Sequence, residues 1–411
     1  MTVEPAPELT PAAALARIVD APAIVLLAAG TDGATVLAWD AAQAPVADWS
    51  ALRDLELASP APDGNAVASG WSRPVPGAHA VQLDYEFPAV AGRAWRLDRF
   101  VAWDAAGRAT LHARDADGIA RMRRDLARAP RDLPPPRLAA RLTPAWDGAG
   151  HRRRVDHLRA LIAAGDIYQA NLTLPFGATL RPQPHADAAL AVQLIGGSPA
   201  PYAAFLRGAG DALISHSPER FLRLDRGTLT SSPIKGTRRR VPGRETEVRA
   251  ELMASAKERA ELAMIVDLVR NDLGRVATIG TVSVDAAAEI LDLPYVHHLV
   301  ARVRCATAAG ATEAIRAAFP AGSITGCPKL RAMQVIAQSE AGARGAYCGT
   351  FGWIARGACD LAVAIRSVVV SGERVRLHAG GGITADSDAD AEWDEARAKA
   401  SAMAAALGAT L

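Results

Sequence analysis

The sequence predicts an α+β protein, and three observations carry that prediction. Short apolar runs broken by turn-forming residues fill roughly the first 130 positions, as strands and hairpins do. A run rich in Ala, Glu, Leu and Met from about Glu245 to Asn271 holds neither Gly nor Pro, which predicts one long helix. A closing helix is expected from about Asp388 to Leu407, with Ser387 or Asp386 as its cap.

Taken in order, "AIVLLAAGTDGATVLAW" and "HAVQLDYEFPAVAGRAWRLDRFVAW" are the first strand-and-hairpin stretches. Pro134-Pro135-Pro136 can continue neither a helix nor a central strand. Residues 131–146 are therefore expected to link a β-rich region, 1–130, to the remainder, 147–411, with the two packed as one unit. Beyond the linker, Val155, Leu158, Leu161 and Ile162 share one helical face, and Gly165 is placed to stop that helix. Ile167 to Phe176 alternates like a strand, and "ERFLRLDRGTLTSSPI" reads as a hairpin turning at Arg226-Gly227. Further strands are expected at "YCGTFGWI", "LAVAIRSVVV" and "RVRLHAG".

The 411 residues can bury a sizeable core, and half of them are apolar. A net charge of +2 from 46 basic and 44 acidic residues gives no reason to expect nucleic acid or an anionic membrane as partner. The best apolar run, "APAIVLLAAG" from Ala21, falls well short of the roughly 20 residues of a membrane span and lacks a basic leader region. Cys305, Cys327, Cys348 and Cys359 form no C-x-x-C pair, so they are expected to be reduced thiols in a cytoplasmic protein.

Several residues carry possible chemistry. Glu258 and Glu261 stand three apart on the long helix, and Glu392 and Glu395 repeat the spacing on the closing one. Two such carboxylate pairs could meet around a hard cation such as Mg²⁺, although the same spacing also suits a solvated helix face. Gly380, Gly381 and Gly382 could bring backbone N–H groups close to an anion, or form a plain turn. "FPAGSITGCPKLRAM" is a second turn running into a helix whose N-terminus could receive a carboxylate. Arg366 inside "LAVAIRSVVV" needs a carboxylate partner if the strand is buried, and none if it lies at an exposed edge. If "LPYVHHLVARV" is a strand, His297 and His298 point to opposite faces and only one can serve a site.

In order along residues 150 to 408, "GDIYQANLT", "SPERFL", "PIKGTRRR", "KERAELAMIVDLVRNDLGRV", "GSITGCPKLRAM", "AYCGTFGWI", "AIRSVVV" and "GGGITADSDADAEWDEARAKA" resemble the chorismate-utilising enzymes. That family includes the anthranilate, aminodeoxychorismate, isochorismate and salicylate synthases. The first third of the chain matches only loosely. The resemblance implies a large β-sandwich core flanked by helices. It implies Mg²⁺ held directly by Glu261 and Glu395, with Glu258 and Glu392 alongside through water, the metal gripping the ring carboxylate of chorismate. Tyr347, Arg366, Gly381, Gly382 and Lys399 would contact the substrate carboxylates, with Gly236, Thr237 and Gly380 counted among the binding residues. His298 and Ser323 would lie beside the ring, and Glu219 would be the acid that helps the 4-hydroxyl leave.

Two positions distinguish family members. Isochorismate and salicylate synthases place a water-activating lysine where this chain has Gln169, whose neutral amide is no base. Lys235 lies in "PIKGT", which resembles the aminodeoxychorismate synthases, whereas the other members carry alanine there. The resemblance thus implies that Lys235 is a nucleophile. Its amine must be neutral to attack, which burial or a cation among Arg238 to Arg240 would favour. The chain has no glutaminase-like nucleophile turn, so a separate glutamine amidotransferase subunit is expected to supply ammonia. No segment is left for a lyase, so the product is expected to remain 4-amino-4-deoxychorismate.

Overall fold

The structure is a computed structural model that describes residues 2–28, 33–62, 71–197, 200–294, 296–409 and 411. Residues 29–32 of the first strand-and-hairpin stretch lie outside the described residues. Two antiparallel sheets, one of 12 strands and one of 10, face each other, and helices cover their outer faces. The period-2 geometry of a strand makes this layering visible in single elements. In strand Ile24–Ala28, Val25 and Leu27 join the core between the sheets with Phe351, Trp353 and Ala362 of the other sheet. Ile24, Leu26 and Ala28 face the outer core, against helices Pro11–Ile18 and Ala116–Leu126. Because both faces are covered, strands such as Ile24–Ala28 and Ala358–Val363 are buried throughout instead of alternating. Strand Gln169–Thr179, expected to alternate, is buried on both faces over its first half for the same reason.

Strands from residues 1–130 complete both sheets. Strand Ile24–Ala28 pairs with Tyr202–Arg207 in one, and Ala78–Leu83 pairs with Thr350–Ala355 in the other. Residues 129–137, with the three prolines, carry no regular element. The first region also holds three helices that its apolar runs did not announce: Pro11–Ile18, Trp49–Ala58 and Ala116–Leu126. They are capped by the side chains of Thr10, Asp48 and Asp115. The hairpin at Arg226-Gly227 forms as expected, both residues adopting positive φ.

Four expectations are corrected. The helix over 245–271 is two helices, Glu245–Ala254 and Ala256–Gly274, because Ser255 leaves helical geometry and its Oγ accepts the Glu258 N–H. Helix Ala389–Ala406 is capped by Asp388, which takes the N–H groups of Asp390 and Ala391. Ser387 instead donates to Glu392. "LAVAIRSVVV" is two strands, Ala358–Val363 in one sheet and Ser367–Ser371 in the other, with Arg366 in the crossing between them. The triple glycine lies inside strand Arg374–Ile383, where Gly380 pairs with Thr173 and Gly382 with Asn171. A Cβ on Gly380 would strike the Leu172 carbonyl at 2.0 Å, so glycine here permits close strand approach and not a turn.

Candidate active site

Two chain crossings between the sheets build the centre of the site. Residues Pro218 and Glu219 carry the chain from strand Ala212–Ser217 to strand Arg220–Asp225, and Ala364 to Arg366 carry it back. The crossings run side by side, tied by His216 N–H to the Arg366 carbonyl (3.0 Å) and Val363 N–H to the Glu219 carbonyl (3.1 Å). Each projects one ionisable side chain into the gap. Arg366 does so from a left-handed backbone, φ 50°, a strained conformation for a residue with a side chain.

Glu219 is buried, accepts a 2.5 Å hydrogen bond from Ser323 Oγ and also accepts from the Ile234 N–H. Burial pushes its carboxyl up to about 7, against the opposing pull of Ser323 and Lys235. Arg366 has no carboxylate partner among the described residues. Among the described residues its side-chain hydrogen-bond partner is His298, 3.5 Å from Nη2 to Nε2. Burial drives His298 down to about 3, so the imidazole is neutral. Its Nδ1 faces Thr237 Oγ1 (2.9 Å) and the Gly236 carbonyl (3.3 Å). The carbonyl can only accept, which assigns the proton to Nδ1 and leaves Nε2 as the acceptor facing Arg366. His297, on the opposite face of the strand, pairs with Asp292 at 2.6 Å and takes no part. The Tyr347 ring stacks on His378, centroids 5.1 Å apart, and its phenol is raised by burial.

Lys235 sits on strand Ile234–Arg239, whose register against Val296–Ala306 slips between Lys235 and Thr237. Gly236 makes the bulge with φ 78°. A Cβ there would crowd the Glu258 carboxyl at 3.1 Å. The lysine side chain is 12% exposed, and Nζ lies 3.7 Å from Glu261 Oε2. A Cβ on Gly382 would lie 3.1 Å from that amine and 2.2 Å from Gln169 Nε2, so glycine makes room for both. The three arginines that follow do not supply the expected cation. Arg238 pairs with Glu258 at 3.2 Å, Arg239 is exposed, and Arg240 reaches the Leu293 carbonyl. The groups that face the amine are acidic.

Helices Ala256–Gly274 and Ala389–Ala406 bring Glu261 and Glu395 near enough for each charge to act on the other, with Glu392 and Glu395 beside Gly381. A Cβ on Gly381 would lie 3.0 Å from Glu392 Oε2, 3.6 Å from Glu395 Oε1 and 3.9 Å from Lys399 Nζ. Burial raises Glu261, and the charges of Glu258 and Glu395 add to the rise against the pull of Lys235. Burial also raises Glu392, with Glu395 adding to it. Burial opposes ionisation of Glu395, but Lys399 outweighs it and holds this carboxyl low. Each carboxylate is met by a donor of the chain: Arg238 for Glu258, Lys235 for Glu261, Ser387 for Glu392 and Lys399 for Glu395 (2.6 Å). Lys399 also donates to the Gly380 carbonyl. Among the described residues, no three His, Cys, Asp or Glu side chains are grouped to hold a metal as they stand. The donor chemistry, carboxylate oxygens from two helices with mutual repulsion left to relieve, nevertheless fits a hard divalent cation.

The family described as chorismate binding enzyme matches residues 75–405. The chain belongs to that family of chorismate-binding enzymes. An aminodeoxychorismate synthase of Streptomyces griseus is 39% identical over 343 residues, covering 82% of this chain and 45% of the relative. An aminodeoxychorismate synthase component 1 of Salmonella typhimurium is 40% identical, covering 62% of this chain and 57% of the relative. An anthranilate synthase component 1 of Streptomyces coelicolor is also 40% identical, covering 71% and 62%. The chain thus spans about half the length of the curated aminodeoxychorismate synthases it matches. Among solved structures, the menaquinone-specific isochorismate synthase of Escherichia coli superposes with TM-score 0.82 at 19% identity, covering 99% of this chain and 94% of the other. Anthranilate synthase component I of Streptococcus pneumoniae superposes with TM-score 0.77 at 24% identity, covering 90% and 92%. Both superpositions speak for the fold: an α+β architecture of two large sheets with helices outside. No helix among the described residues is long and apolar enough to cross a membrane.

Proposed function

We propose that the chain is the chorismate-aminating component of an aminodeoxychorismate synthase, forming 4-amino-4-deoxychorismate from chorismate and ammonia. One observation carries the reading: the Lys235 side chain is largely enclosed, its amine beside Glu261 and over the bare face of Gly382. An alanine at that position would leave no nucleophile there. Similarity to several aminodeoxychorismate synthases supports the same activity.

The chain's groups suit the chemistry. Arg366, half-buried and without a carboxylate partner among the described residues, is free to take one from the substrate in a charge-assisted pair. His298 and Tyr347 line its approach. Lys235 Nζ attacks C2, the ring double bonds shift, and the C4–O bond breaks as Glu219 hands its proton to the departing hydroxyl. One water leaves, and the proton lost from Nζ has the nearby carboxylates as acceptors. Ammonia then adds at C4 and the C2–N bond breaks, returning the lysine. Mg²⁺ is the cation we assign to the Glu258, Glu261, Glu392 and Glu395 cluster, where it would neutralise the carboxylates and the substrate's negative charge. Gln169, a buried amide beside the amine, offers no base to activate water, which supports amination over hydration.

Similarity to proteins named component 1 supports a partner subunit, which we take to be a glutamine amidotransferase. The four thiols are unpaired, which supports a reducing, cytoplasmic setting. Similarity to an anthranilate synthase favours a second reading, elimination to anthranilate, against which Lys235 argues. Incubating the purified chain with chorismate, Mg²⁺ and ammonium and weighing the products separates the two. Aminodeoxychorismate is expected. Anthranilate, or unchanged chorismate, would overturn the proposal.

A further inference from the structure

Lys329 is the first residue of helix Lys329–Ser339, a position where a cation opposes the helix dipole and where no acidic side chain compensates. Its tertiary contacts explain the placement. Nζ donates to Asp272 Oδ2 (2.6 Å) and to the carbonyls of Ala318 (2.7 Å) and Pro320 (2.8 Å), so all three of its hydrogens are used. Both charged side chains are almost fully enclosed, at 13% and 6% exposure. Breaking such a pair strands a buried charge, so the arrangement is stiff.

What it stiffens is the segment carrying Ser323. The carbonyls that Lys329 grips lie five and three residues before that serine. A Cβ on Gly322 would sit 2.8 Å from Leu268 Cδ2, so the turn lies flush on helix Ala256–Gly274. Asp272 is on that same helix, which also carries Glu258 and Glu261. Ser323 Oγ in turn donates to Glu219 Oε1. A continuous set of contacts therefore runs from the carboxylate-bearing helix through Asp272 and Lys329 to the turn, its hydroxyl and Glu219.

We infer that Lys329 is a positioning residue: with Asp272 it locks the 318–323 segment so that the Ser323 hydroxyl points at Glu219 and sets that carboxyl's proton affinity. The inference rests on the proposed role of Glu219 as acid. It uses neither the substrate nor the metal, so it can be tested without turnover. Among the described residues, the charged and titratable groups facing Glu219 are Lys235 and Cys348, with Arg220 and Asp272 lining the small cavity beside it. A donated hydroxyl favours the ionised carboxyl, so losing it must raise the titration midpoint of Glu219.

The test is an infrared titration of the Glu219 carboxyl, assigned by its disappearance in Glu219→Gln. Ser323→Ala is expected to raise the midpoint by about one pH unit, given the strength of hydrogen bonds to charged groups. Lys329→Met should raise it similarly, and the double variant no further, since both remove the same bond. In turnover, Lys329→Met should lower kcat with little change in KM for chorismate, and Lys329→Arg should restore part of it. If Lys329→Met does not fold, Asp272→Asn supplies the same comparison with Ser323→Ala. A midpoint unmoved in Lys329→Met or Asp272→Asn, or one that adds fully to Ser323→Ala, would overturn the inference. Wild-type protein that makes no aminodeoxychorismate would instead defeat the proposed function, while the titration still decides the role of Lys329.

Discussion

Glu219 owes its protonation behaviour to the scarcity of water between the sheets. A carboxyl with about 4% exposure and one hydroxyl donor keeps its proton to near neutrality, as an acid for a departing hydroxyl must. Because the protonated form is the active one, this carboxyl should make kcat/KM fall about tenfold per unit as pH rises above about 7. Glu219→Gln should remove that limb and lower kcat by about 10²- to 10⁴-fold, read from pH–rate profiles of both proteins. Lys235→Ala should cut turnover by at least about a hundredfold while chorismate affinity, measured by calorimetry, stays within a few-fold. Equal turnover in that variant would end the covalent scheme and leave the family assignment standing.

At the scale of elements, glycines and caps place these side chains. Gly382→Ala should depress activity more than stability, because its Cβ meets Gln169 Nε2 at 2.2 Å and Lys235 Nζ at 3.1 Å, both ends of flexible side chains. Turnover and melting temperature measured together would separate the two effects. Ser255→Ala should cost about 1 kcal/mol of stability by uncapping helix Ala256–Gly274. The break at Ser255 was legible, since Ser255 and Glu258 have the spacing of a helix N-terminus, yet the unbroken run of helix formers hid it. Arg366 was legible as a residue in need of a partner. Its place in a sheet crossing was not, because "LAVAIRSVVV" is locally one apolar strand. Only pairing with residues far away, Arg220 for Ala362 and Ser215 for Ser367, decides where it breaks.

For the whole molecule, the strand-rich beginning and helix-rich later stretches were readable as α+β from local pattern alone. The meeting of both regions in two shared sheets was not, since Leu27 pairs with Ala204 and Val81 with Gly352 across long stretches of chain. The carboxylate pairs were readable from spacing and ambiguous from it. The approach of Glu261 to Glu395 from different helices, like the Ser323–Glu219 bond between residues 104 positions apart, is a product of tertiary packing. The proposed Mg²⁺ would be held by glutamates and not by residues of the hydrophobic cores, so on that proposal chelation should abolish turnover while the far-UV spectrum and melting transition stay nearly unchanged. The most direct test of the account is mass analysis of the protein mixed with chorismate and Mg²⁺ but no ammonium. The account predicts that the peptide containing Lys235 gains the mass of chorismate less one water. An unmodified Lys235 peptide, in protein that still aminates chorismate when ammonium is added, would contradict it.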